Sequence, residues 1–178
     1  MNNSLFKSAD FFYFCNPDNN RIASLKNILE KQYIPFSQIT LAGINHLVIK
    51  FPSSTYSPLY KIKTIIAHYD RTPYSPGAND NSASIFELIE FIKQIQLSTD
   101  TSNIRIIFTG GEELQQGESV KKQGAFALGQ GLKKLGCEKD EIYVLDCCGR
   151  GDTLVTSQTG ILNKITSQKL HQTAIQLC

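Results

Sequence analysis

The most constraining feature of this chain is a short apolar run, Thr64-Ile65-Ile66-Ala67, that ends in His68-Tyr69-Asp70. Two adjacent β-branched residues inside a brief apolar stretch, followed by the turn-rich Arg71 to Gly77, read as a buried strand rather than a helix. Side chains repeat every second residue along a strand, so His68 and Asp70 share a face at its end. The loop then delivers Ala78-Asn79-Asp80-Asn81 just before a helical pattern, and Asp80 is expected at the N-cap of that helix. Three groups able to bind or orient a metal thus gather around one strand end. Taken alone, the same residues also fit an ordinary polar strand end.

The rest of the chain repeats this arrangement. Ile22, Leu25, Ile28 and Leu29 predict a helix over 21–33 that Pro35 stops. Residues 39–51 read as a strand pair broken at Gly43-Ile44-Asn45, and 61–69 is the strand already described. Ile85, Leu88, Ile89, Ile92 and Ile95 fall at helical spacing after Asp80. Residues 104–109 predict a strand ended by Gly110-Gly111 and followed by Glu112-Glu113. Residues 114–123 read as a surface loop. A helix over 124–135 turns Phe126, Leu128 and Leu132 inward and closes at Gly136. Residues 142–145 are a further strand leading to Asp146. A short strand is expected at 154–156, and a last helix over 160–178.

This alternation predicts an α/β fold, with a largely parallel or mixed central sheet and helices on both faces. Residues 1–20 read as an irregular lead-in and 21–178 as one domain. In open α/β sheets ligands bind at the carboxyl ends of strands. His68, Glu112, Glu113 and Asp146 all fall at such ends, on three strands. One histidine with several carboxylates suits zinc, manganese or cobalt better than copper or iron–sulfur chemistry. Carboxylates can also bridge paired metal ions. Adjacent glutamates on an extended segment point to different sides, so one can ligate while the other acts as base.

The set His68-x-Asp70, Pro76-Gly77-Ala78-Asn79-Asp80-Asn81, Glu112-Glu113 and Asp146 resembles the zinc-dependent exopeptidases of clan MH. That group includes aminopeptidase Y, bacterial leucyl aminopeptidase and, more distantly, glutaminyl cyclase. The motifs lie within residues 47–162. The resemblance implies two zinc ions, with His68, Asp80, Glu113 and Asp146 as metal ligands and Asp80 bridging. It implies that Asp70 orients His68 and that Glu112 is the general base. A peptide is the implied substrate, cleaved at its amino-terminal bond. The alternatives are a glutaminyl cyclase-like zinc acyltransferase, or an inactive pseudo-peptidase acting as an interaction domain. The Gly-Ser that commonly follows the Glu pair in the family is displaced here. Gly117-Glu118-Ser119 or Gln123-Gly124-Ala125-Phe126 stands in its place, and the latter opens a helix better. The family also draws its last ligand from a histidine beyond the Asp146 position. The expectation is therefore a chain truncated at the C-terminus, inactive by itself and holding at most one zinc firmly.

Other features carry less. His46 is expected at the surface or a sheet edge, and His171 on an exposed helix face. Tyr69 and Tyr74 read as pocket-mouth or packing residues, and Arg150-Gly151-Asp152 as turn chemistry. The five cysteines include no CxxC pair. Cys147-Cys148 read as buried free thiols, which predicts a reducing, cytoplasmic setting. A net charge of +2 without basic blocks gives no nucleic-acid footprint, and no apolar run has the length of a membrane span.

Overall fold

A computed structural model describes residues 8–98 and 100–149. The expected strand at 154–156, the helix over 160–178, His171 and the Arg150-Gly151-Asp152 turn lie outside the described residues.

Four helices and five strands are described: α1 (Ala9–Cys15), α2 (Arg21–Lys31), β1 (Phe36–Leu41), β2 (Ile44–Ile49), β3 (Lys63–His68), α3 (Ala83–Leu97), β4 (Ile104–Thr109), α4 (Gly124–Lys134) and β5 (Glu141–Val144). The strands form one mixed sheet in the order β1-β2-β4-β3-β5. β3 runs parallel to both β4 and β5, while β2 is antiparallel to β1 and β4. The parallel part is therefore confined to the three strands whose ends carry the candidate residues. β1 and β2 form a hairpin turned at Ala42-Gly43, both with positive φ, as the tightest hairpin turns require. The strand break thus precedes Ile44, which already belongs to β2.

Alternation along the strands divides the core between two faces. Leu47, Ala67, Ile106 and Phe108 pack against α1, α2 and α3, through residues such as Phe14, Leu25, Ile89 and Ile92. Ile66 and Ile107 point the other way, onto Leu128 and Leu132 of α4. Helices thus cover both faces, as the alternation predicted. Phe126, expected inward on α4, is 42% exposed. Leu128 and Leu132 sit one helical turn apart and carry the seam, with Leu41, Val48 and Cys137 packed beside them.

Within residues 8–20 the irregular lead-in expected over 1–20 gives way to a helix. Ser8 caps α1 by accepting the Phe11 N–H at 3.1 Å. Phe11 and Phe14, spaced to share one helix face, then pack edge-on or tilted against Phe86 of α3 at 5.1 and 5.8 Å between ring centroids. Burial of that aromatic pair makes a helix of a segment too short to be stable alone.

Candidate metal centre

β3 carries its polar end out of a buried strand. Ile66 and Ala67 are buried, and His68 is only 8% exposed. Its Nε2 lies 3.0 Å from Asp80 Oδ1 and 3.5 Å from Asp146 Oδ1. One ligand atom from each of these three residues lies within 4.8 Å of the other two. The Nδ1 side faces Asp70 Oδ1 at 3.5 Å. Neither of those two buried atoms has a hydrogen bond among the described residues.

Asp80 reaches this group by not capping a helix. Its backbone, at φ −113° and ψ 93°, is non-helical and lies in an irregular turn over Ala78–Ser82. Ser82 takes the N-cap position of α3 and makes no side-chain cap bond. The expected N-cap role of Asp80 is thereby corrected, and its carboxylate is left free to face His68. The turn is stitched to the end of β5: Asn81 Nδ2 donates to the Leu145 carbonyl at 2.8 Å, and the Gly149 N–H donates to Asn79 Oδ1 at 3.0 Å. These bonds bring Asp146 beside Asp80.

Asp70 does more than the sequence indicated. Its Oδ2 accepts the main-chain N–H groups of Glu112 at 2.8 Å and Glu113 at 2.9 Å. One carboxylate thus faces His68 with one oxygen and holds the glutamate pair with the other. Burial works against its charge, but His68 and the Glu113 N–H prevail and hold it below the usual aspartate range. For His68, burial again opposes the charge. The neighbouring Asp70, followed by Asp146 and Asp80, overrides it and raises the imidazole to about 9. Such a cage of carboxylates around one imidazole favours a cation.

Glu112 and Glu113 part company as expected of an extended pair. Glu112 Oε1 accepts the Ala125 N–H at 2.6 Å, in the first turn of α4. Burial raises its carboxyl, and the Ala125 bond opposes the rise. Gly124 makes this approach feasible, because a Cβ there would lie 1.8 Å from the Gly110 carbonyl oxygen. The stretch from Gln123 to Phe126 is thus the one that opens a helix beside the glutamates. Glu113 lines the same cavity as His68, Asp80, Glu112 and Asp146. It stands outside the close group of three ligand atoms and accepts a hydrogen bond from Thr72 Oγ1 at 2.8 Å.

Two further expectations, for His46 and the cysteine pair, change. His46 is fully buried on β2, an interior strand, where its Nδ1 meets Thr109 Oγ1 at 2.9 Å. Burial lowers its pKa. Cys147 and Cys148 are exposed, not buried, because they follow the end of edge strand β5. Tyr69 is buried and bonds the Asn45 carbonyl through its hydroxyl, whereas Tyr74 is 95% exposed. Among the described residues no helix is long and apolar enough to cross a membrane.

Residues 47–174 match the family model described as peptidase family M28. Aminopeptidase YwaD of Bacillus subtilis (strain 168) is 37% identical over 70 residues, covering 39% of this chain and 15% of that protein. The fold is similar to that of glutaminyl cyclase from Macrostomum lignano, with TM-score 0.59 and 16% identity over 93% of this chain and 60% of that one. It is also similar to a leucine aminopeptidase precursor from Bacteroides thetaiotaomicron VPI-5482, with TM-score 0.52 and 17% identity over 79% and 62%. The chain thus spans a small part of the curated relative and about 60% of these two solved structures.

Proposed function

The chain belongs to peptidase family M28, and from that premise we propose that it carries the metal centre of a zinc-dependent aminopeptidase, which removes the amino-terminal residue of peptides. The observation that supports this best is the convergence of His68, Asp80 and Asp146 within 4.8 Å beside Glu112. One imidazole nitrogen and two carboxylate oxygens are a catalytic zinc donor set with room for a further ligand. The unpartnered Nδ1–Oδ1 pair of His68 and Asp70 supports the fit, since a ligating imidazole commonly turns its other nitrogen to a carboxylate. Zinc held there would act as a Lewis acid toward a peptide carbonyl.

The residues of the chain then divide the work. His68, Asp80 and Asp146 would hold a first ion, and Asp80 with Glu113 would contribute to a second. Asp70 keeps the His68 proton on Nδ1 and leaves Nε2 free to ligate. Glu112, with its raised carboxyl, takes a proton from the attacking water and returns it to the leaving amine. Metal analysis of the whole protein, together with hydrolysis of aminoacyl-anilides by it, tests the reading. Bound zinc with no aminoacyl hydrolysis would exclude the peptidase.

A glutaminyl cyclase-like acyl transfer is the second reading. It is favoured by one observation: among the described residues a single three-ligand group is present, and Glu113 is engaged with Thr72 instead. Cyclisation of a glutaminyl peptide by the same preparation, with no anilide cleavage, would select it.

A further inference from the structure

We propose that Arg21 is the positioning residue of the metal centre: its buried guanidinium locks together the two chain segments that carry His68 and Asp80. The proposal rests on the ligand reading above. Arg21 opens α2, in the part of the chain that precedes the family match. It is 7% exposed. Nε donates to the Tyr69 carbonyl at 2.7 Å, and Nη1 donates to the Phe14 carbonyl at 2.8 Å and to Ser82 Oγ at 2.9 Å. The guanidinium carbon lies 3.7 Å from the centroid of the Phe14 ring.

These partners are the ones that aim the ligands. Tyr69 is the residue between His68 and Asp70. Its N–H donates to the Thr109 carbonyl at 2.8 Å, its hydroxyl to Asn45, and its carbonyl accepts from Arg21. Fixing all three fixes the direction of the strand end, and with it the face that His68 and Asp70 share. Ser82 lies two residues past Asp80. Its hydroxyl accepts from Arg21 and donates to the Gly77 carbonyl, and its N–H donates to the same carbonyl at 3.0 Å. The irregular turn bearing Asp80 is thus closed from Ser82 back to Gly77, and its Ser82 end rests on the guanidinium. Arg71 makes the reverse connection from the site loop. It donates to the Asn16 carbonyl at 2.9 Å, the Asn19 carbonyl at 3.1 Å and the Pro17 carbonyl. Two arginines therefore interlock the α1–α2 turn with the metal loops in opposite directions.

The energetics favour positioning over stability as the use of Arg21. None of the ion pairs among the described residues involves it. Burial, aided by Arg71, lowers its pKa to about 10, so it stays charged at neutral pH. A buried charge served by neutral oxygens is a costly way to fill space, and an apolar residue of similar size would serve folding as well. What an apolar residue cannot supply is a rigid planar fork holding three oxygens from three segments.

The test compares Arg21→Met and Ser82→Ala with Leu25→Ala, which opens a cavity in the same helix and leaves the guanidinium in place. Zinc affinity is measured by chelator competition, cobalt substitution reports site geometry, and amide hydrogen exchange is followed at residues 68–71 and 77–82 without metal. Arg21→Met is expected to weaken zinc about 10–100-fold, as changes behind a metal ligand do, and to alter the cobalt spectrum. Ser82→Ala should show a smaller loss of the same kind. Leu25→Ala should lower the melting temperature and leave affinity and spectrum alone. If Arg21→Met does not fold, Ser82→Ala decides by the same readouts. Equal zinc affinity in Arg21→Met and the parent, or equal losses in Arg21→Met and Leu25→Ala, would overturn the proposal and leave the metal centre standing. A parent protein that binds no zinc would instead defeat the ligand reading. Selective exchange at the two segments in the Arg21 variant would then still support the lock, and unchanged exchange would overturn it.

Discussion

Replacing Asp70 by Asn changes no volume and reverses one hydrogen-bonding role. Asp70 Oδ2 accepts two main-chain N–H groups, from Glu112 and Glu113. In the variant the amide oxygen must therefore take that place, since the alternative sets an NH2 group against two donors. The NH2 then faces His68 Nδ1, 3.5 Å away in the parent, and can only donate. The imidazole must keep its proton on Nε2, the nitrogen that faces Asp80 and Asp146, and so loses the lone pair that would bind metal. The rise of His68 from 6.5 to about 9 corresponds to roughly 3 kcal/mol. At 3.5 Å and an effective dielectric of ~20, a unit charge pair is worth about 5 kcal/mol. Asp70 is thus large enough to lead the rise, with Asp146 and Asp80 behind it, against the opposing effect of burial. Asp70→Asn should therefore lower the proton affinity of His68 at least about tenfold, read by NMR titration of the metal-free protein. Zinc should weaken about 10–100-fold by chelator competition, or ~1.4–2.7 kcal/mol. An unchanged imidazole titration with unchanged zinc affinity would refute the coupling of Asp70 to His68.

In the whole protein, Glu112→Gln should lower turnover on an aminoacyl-anilide by about 10²–10⁴ and leave zinc content unchanged, because the amide oxygen can still accept the Ala125 N–H while no base remains. An active Gln variant would assign the proton transfer elsewhere. Gly124→Ala should cost about 1–3 kcal/mol or more in chemical denaturation, since its Cβ would meet the Gly110 carbonyl oxygen at 1.8 Å; wild-type stability would contradict the close approach of α4. In the metal-free protein His68 has its folded pKa raised to about 9. Its contribution to stability is thus complete below its unfolded value of about 6.5 and fades as pH rises through 9. Melting temperature should fall over that window without zinc. Apparent zinc affinity should rise about tenfold per pH unit across it, as each ion displaces the His68 proton. A flat profile in both measurements would mean that the imidazole is not charged before metal binds.

Several parts of this protein were legible from local pattern. β3 and β4 end where their apolar runs end, and α3 buries the residues whose spacing marked its inner face. Gly136, with φ 72°, follows α4 as its sequence position suggested. Such features depend on neighbours a few residues away, and period alone reveals them. The strand ends in turn placed His68, Glu112, Glu113 and Asp146 on one side of the sheet. What held those residues to one another was not legible. Arg21 meets Tyr69 across 48 residues of chain and Ser82 across 61, and Asp70 meets the glutamate N–H groups across 42 and 43. His46 lost its expected exposure because β2 was taken into the sheet between β1 and β4, and Asp80 left the helix cap for a turn pinned by Leu145 and Asn81. No sequence period records a hydrogen bond between segments so far apart. The local pattern could therefore name the donors and acceptors of the site, and only the packing of distant segments could decide which of them meet.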